Sequence, residues 1–266
     1  MENEAIEYVY GLELLKNEFQ IEDNIEQTTD FLLSNGQLGE RAPQIYQELG
    51  TALSFLLQAS SCQWGCHSND HIAENLIRRL ANYSFATLRL ARLGLYNESV
   101  SMLRSIAELA NLIELFTVSP TTFIQWSTAT PGDRWKSFKP NEVHRKIIAT
   151  HNRPIVDRST YAKLCELGPH VSPESALFSH QHDGTVYVGG EFSIFALLLI
   201  LNELAIMVSA CLKLCGHFVK APDDKIKELT KAGEVLEETA TSWLRITNYE
   251  ERIKNENLKE QSKNVS

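Results

Sequence analysis

Residues 73 to 116 read "AENLIRRLANYSFATLRLARLGLYNESVSMLRSIAELANLIELF", two stretches of helical spacing joined by the short break "GLYN" at Gly94 to Asn97. Apolar residues recur there at three- and four-residue intervals on both sides of the break, the period of an amphipathic helix rather than a strand. So short a connection leaves the two helices antiparallel neighbours. A chain built round such a hairpin must bury two apolar stripes against further helices, which predicts an all-α bundle.

The same spacing runs along most of the 266 residues. It predicts helices over about 3 to 19, 23 to 34, 40 to 61, 72 to 93, 97 to 117, 120 to 129, 141 to 151, 158 to 167, 191 to 217 and 223 to 245, a bundle of about eight to ten. Ser119 before Pro120 places an N-cap ahead of a proline whose missing N–H costs nothing at that position. Gly168 closes the helix "YAKLCEL", and Pro222 with Asp223 and Asp224 opens the last long one. One non-helical insertion is expected near 176 to 190, where Asp183-Gly184 lies between two short alternating runs, a β-hairpin signal. The segment "FSIFALLLILNELAIMVSACLKLC" from Phe192 to Cys215 is apolar on nearly every side. Its uninterrupted run, Ile194 to Leu201, is about half a bilayer span, and Asn202, Glu203 and Lys213 follow. It is therefore expected at the centre of the bundle, with no membrane contact.

Net charge is −9, and residues 1 to 40 hold the whole imbalance, with ten acidic residues against Lys16 alone. That division suggests an acidic helical segment over 1 to 40, a bundle over 41 to 246 and a polar tail over 247 to 266 that has too few apolar residues to pack. Binders of nucleic acid need a basic face to displace counterions from phosphates, and the overall balance supplies none. The five cysteines, without a cationic and apolar leader at "MENEAIEYVY", point to a reducing, cytoplasmic setting without structural disulfides.

Polar residues gather into stripes. At about 100° per residue, Arg78, Arg89 and Arg92 fall within about 60° of one another, with Asn82 and Phe85 among them. An arginine face is usually solvated, whereas an aromatic among arginines suits a docking surface. Arg78, Phe85, Arg89 and Arg92 are the candidate binding residues, with an acidic protein surface, a phosphate-bearing molecule or the chain's own acidic helices as ligand. On the next helix Asn97, Ser101, Arg104, Glu108, Asn111 and Leu115 share a face, and Arg104 and Glu108 are spaced to pair. Glu203 is surrounded on its own helix by Leu199, Ile206 and Ala210, so its carboxylate must meet Arg104 or another cation.

Cysteine and histidine groupings are read against metal binding. "CQWGCHSNDH" offers Cys62, Cys66, His67 and His71 within ten residues, but its spacing lacks the arrangement of two ligands on a turn and two from a distant segment. Thiols at a helix end are the simpler reading. His180 and His182 with Asp183 read as solvated hairpin residues. No metal or other cofactor is expected.

Two resemblances carry further expectations. Arg145 and His151 enclose five residues in "HRKIIATH", an arrangement that resembles the motif of HEPN-type ribonucleases, although Lys146 stands where that family favours a small or polar residue. The resemblance implies metal-independent cleavage of RNA across a dimer seam, with arginine stabilising charge and histidine handling the proton. Separately, "ARLGLYNESVSMLRSIAELANLIELF" followed by "YAKLCELGPHVSP" is similar to a widespread set of bacterial all-helical proteins of unknown function. Those proteins share an arginine four residues before a glutamate, then a tyrosine and leucine ahead of a histidine. Arg104, Glu108, Tyr161, Leu164 and His170 occupy the matching positions, and the resemblance implies that His170 joins a polar cluster with Arg104, Glu108 and Tyr161. Read without the family, His170 sits in a helix joint where a histidine usually bonds backbone carbonyls.

These observations favour a cytoplasmic interaction or regulatory module that binds a protein partner or a second copy through the arginine-striped hairpin. A HEPN-like ribonuclease using Arg145 and His151 is the alternative, with RNA as partner only in that case. A metal-dependent hydrolase built on the histidines is a weaker one.

Overall fold

The computed structural model describes residues 11–35, 41–64, 71–170, 189–240 and 245–248. Among these residues the chain forms ten α-helices and no strand: α1 Leu12–Ser34, α2 Arg41–Ala59, α3 Ile72–Arg92, α4 Tyr96–Val118, α5 Pro120–Thr128, α6 Pro131–Ser137, α7 Pro140–Ala149, α8 Arg158–Leu167, α9 Ile194–Phe218 and α10 Asp223–Thr239. A short 3₁₀ turn follows at Ile246–Asn248. The all-α class is as the periodicity predicts. The expected β-hairpin, and with it His180 and His182, lies outside the described residues apart from Gly189 and Gly190, which are irregular.

The N-terminal region departs from expectation. Two helices are predicted over 3 to 19 and 23 to 34, but residues 12 to 34 form one continuous α1. No glycine or proline occurs between Leu12 and Ser34, so no residue there removes a backbone donor or favours a turn. A short helix, α6, was also not expected. Like α5 it begins with a hydroxyl residue followed by proline, but here Thr130 accepts from the Asp133 N–H, whereas Ser119 makes no side-chain cap bond to α5.

Helix α9 is the axis of the bundle and packs against α2, α3, α4 and α10. By length and composition α9 is apolar enough to cross a bilayer, yet 72% of its most apolar stretch is buried inside the fold, as a core helix requires. Gly233 lets α10 approach α9 closely, because a Cβ there would lie 2.7 Å from the Ser209 carbonyl oxygen. The hairpin of α3 and α4 forms as predicted. Its turn residue Gly94 has φ of 78°, and a side chain there would collide with the backbone of Glu191. The Ser193 N–H donates to the buried Tyr96 hydroxyl at 2.9 Å, and Ser193 in turn caps α9. Helices α5, α7 and α8 cover the outer side of α4, and the Ile246–Asn248 turn closes against α8.

Candidate functional site

Helix α4 has two working faces. One buries Val100, Leu103, Ile106, Ala110 and Ile113 in the core. The other carries Arg104, Glu108 and Asn111 beneath α7 and α8, where Arg104 and Glu108 keep about a third of their side-chain exposure. Asn111 fixes the approach of the chain to α8. Its amide donates to the Val156 carbonyl at 2.9 Å and accepts from the Val156 N–H at 3.0 Å, reproducing the bonding of a neighbouring strand. Glu114, one turn further, accepts from the Ile155 N–H at 2.7 Å. Asp157 then caps α8 by accepting from the Thr160 N–H at 2.8 Å.

Those contacts aim Tyr161 at α4. Its hydroxyl donates to Glu108 Oε1 at 2.5 Å and accepts from Arg104 Nη2 at 3.0 Å, while the same guanidinium pairs with Glu108 at 2.7 Å. The Arg104 guanidinium carbon also lies 5.6 Å from the Tyr161 ring centre, within cation–π range. Burial and the bond to Glu108 push the Tyr161 pKa well above that of a free phenol, so the hydroxyl remains a donor. For Arg104, burial alone lowers the pKa, and the neighbouring Cys165, Glu108 and Tyr161 outweigh it and raise the value. The Arg104 Nε–H is buried without an acceptor.

Beside the triad a cleft of about 60 Å³ opens, lined by Glu108, Asn111, Phe138, His144, Arg158 and Tyr161 among others. It has room for a few water molecules or one small polar group. Arg104, Glu108 and Tyr161 thus meet, without His170 or Glu203. His170 is exposed beyond the end of α8, with its backbone N–H donating to the Cys165 carbonyl at 3.1 Å. The cleft histidine is His144 instead. Nothing in its spacing on α7 distinguishes it from a solvated residue.

No family model, curated protein or solved structure matches the chain.

On α3 the stripe divides. Arg78, Phe85 and Arg89 are exposed, whereas Arg92 binds Asp30 through Nε at 2.8 Å and Glu26 through Nη2 at 3.2 Å. Its backbone carbonyl also accepts from Thr29. The acidic N-terminal helix is thus one ligand of the arginine face. Burial lowers the Arg92 pKa, and the bond to Asp30 with the surrounding charge more than offsets it. Glu203 meets a cation as its surroundings require, but the cation is Arg245 at 2.8 Å and not Arg104. Arg145 pairs with Glu142 at 2.7 Å on the exposed side of α7. His151 is exposed beyond the helix end, with φ of 62°.

Residues suited to a metal ion lie elsewhere, at the corner between α2 and α3. Donor atoms of Cys62, His71 and Glu74 are within 4.8 Å of one another. Cys66 and His67 lie outside the described residues.

Proposed function

We propose that the chain is a helical interaction module that docks a protein partner or a second copy along α1 and the exposed end of the α3 stripe. The observation that carries this reading is the apolar surface of α1. Leu12, Leu15 and Phe19 are 67%, 49% and 57% exposed. At 100° per residue they fall within about 60° of Glu26 and Asp30, the residues that dock α1 on Arg92. The docking stripe therefore continues beyond its own bundle with apolar residues in place of acidic ones. Phe85, 45% exposed, lies two turns before Arg92 on the same face of α3. Large apolar side chains presented together in water mark an interaction surface.

Light scattering across a concentration series tests the reading with a second copy as first occupant. The wild type is expected to be dimeric or larger, and Phe19→Glu and the pair Phe85→Ala with Arg89→Ala are expected to be monomeric with unchanged circular dichroism. A wild type that stays monomeric, with no protein partner lost in those variants, removes the reading. The ribonuclease alternative makes the opposite prediction, since cleavage of RNA would survive those changes and disappear in Arg145→Ala and His151→Ala. For that alternative, Arg145 is engaged by Glu142 on the exposed side of α7 and His151 is exposed beyond the helix end.

A further inference from the structure

We propose that Cys62, His71 and Glu74 form a divalent-metal site, best suited to zinc, that clips the end of α2 to the start of α3. The residue types fit, because zinc takes thiolate sulfur, imidazole nitrogen and carboxylate oxygen at about 2.0 to 2.3 Å. The spacing fits as well. Cys62 Sγ lies 3.2 Å from His71 Nδ1, close to the roughly 3.5 Å edge between sulfur and nitrogen in a tetrahedral zinc site. All three donors fall within 4.8 Å of one another. One thiolate, one carboxylate and one neutral imidazole balance a 2+ ion, as a site partly withdrawn from water requires.

The independent observation is Glu74. It is 3% exposed, and both carboxylate oxygens are buried without a hydrogen-bond partner. A thiol to imidazole hydrogen bond would account for Cys62 and His71 alone, but leaves this carboxylate uncompensated. Its position in the first turn of α3 places it in the favourable end of the helix dipole, which is worth far less than desolvating a charge costs. Arg78, one turn on and spaced to pair with it, extends Nη2 to the Ser60 carbonyl at 3.4 Å instead. A cation bound between Cys62 and His71 supplies what the helix lacks. Cys62 and His71 also have φ of 59° and 50°, so both residues are held in the left-handed region where such residues are uncommon.

The experiment uses the full chain, stripped with a chelator and titrated with zinc alone, then with cobalt(II) alone. One equivalent of zinc is expected, and the cobalt form should show a thiolate-to-metal charge-transfer band in the near ultraviolet. Cys62→Ser should abolish the band, while His71→Ala and Glu74→Gln should weaken zinc binding roughly tenfold or more. Glu74→Gln keeps the shape of the side chain, so its loss of zinc at unchanged circular dichroism separates ligation from folding. Less than a tenth of an equivalent of zinc on the wild type, a cobalt form without the thiolate band, or binding unchanged in all three variants overturns the proposal. The oligomeric state and RNA cleavage are separate readouts, so the site stands or falls apart from the docking surface.

Discussion

Glu203 in the middle of α9 and Glu74 in the first turn of α3 are both withdrawn from water, at 0% and 3% exposure, and their surroundings differ in kind. Glu203 receives the Arg245 guanidinium at 2.8 and 3.3 Å and the Ile246 N–H at 2.7 Å, so both of its oxygens are bonded. Neither oxygen of Glu74 is. The first carboxylate is a structural joint, drawing the turn after α10 back across the bundle. The second is a charge that the described residues do not answer, and the nearby thiol and imidazole say what kind of ligand would answer it. The difference shows that burial of a charge is not by itself a sign of function. What matters is whether the fold also supplies its partners.

The largest effect should come from breaking the satisfied side of that comparison. Arg245→Ala leaves Glu203 charged and unpaired in the core, and a loss of about 3 to 5 kcal/mol in urea unfolding is expected. Replacing both partners together with apolar residues of similar volume should recover much of it. A loss below about 1 kcal/mol for the single change would mean that Glu203 is not held as a charge.

Glu74 should behave in the reverse sense, with an effect that depends on metal. In chelator-treated protein Glu74→Gln removes an unanswered charge and should be neutral or stabilising. With zinc in hundredfold excess over its dissociation constant the wild type should gain about 3 kcal/mol that the variant does not. Thermal unfolding with and without zinc measures both numbers, and the comparison fails if the variant is destabilised equally in the two conditions.

Much of this was readable from local pattern, and the rest depended on distance along the chain. The stripe of Arg104, Glu108 and Asn111 follows from 100° spacing on a single helix. The need of Glu203 for a cation follows from Leu199, Ile206 and Ala210 around it. The identity of that cation does not, because Arg245 is brought back by the packing of α10 on α9, 42 positions later. Glu74 was masked for another reason. An acid in a first turn is what any helix dipole favours, so its type and position carry no sign that its oxygens are buried. The docking of α1 on Arg92 was legible only as opposite charge, and the exposed apolar residues Leu12, Leu15 and Phe19 join the same stripe only because residues 12 to 34 form one continuous helix.

Asn111 extends the comparison to a neutral group. Its amide answers both backbone groups of Val156, so Asn111→Leu leaves a buried N–H and C=O unpaired while keeping the volume. A loss of about 2 kcal/mol is expected. Because Val156 leads into Asp157 and α8, the Tyr161 hydroxyl should also lose its fixed position against Glu108, which tyrosine fluorescence or a crystal structure would register.

Glu114 lies between the two carboxylates, 7% exposed and with one backbone donor, the Ile155 N–H, on one oxygen. Burial raises its pKa, and the Ile155 bond lowers it by less, so the net shift is upward. A carboxyl whose pKa is higher folded than unfolded binds protons more readily in the native state. Its contribution to stability is therefore complete below the unfolded value of 4.5 and is lost as pH rises through the folded one. At pH 7 the ionised group is a small net cost, and Glu114→Gln, which still offers an oxygen to Ile155, should stabilise by a few tenths to about 1 kcal/mol. The advantage should shrink toward pH 4, below the unfolded value of 4.5, as the wild-type carboxyl takes up its proton. Unfolding curves at the two pH values provide the check. A variant less stable than wild type at pH 7 would place Glu114 with Glu203 as a charge the fold fully answers, rather than between Glu203 and Glu74.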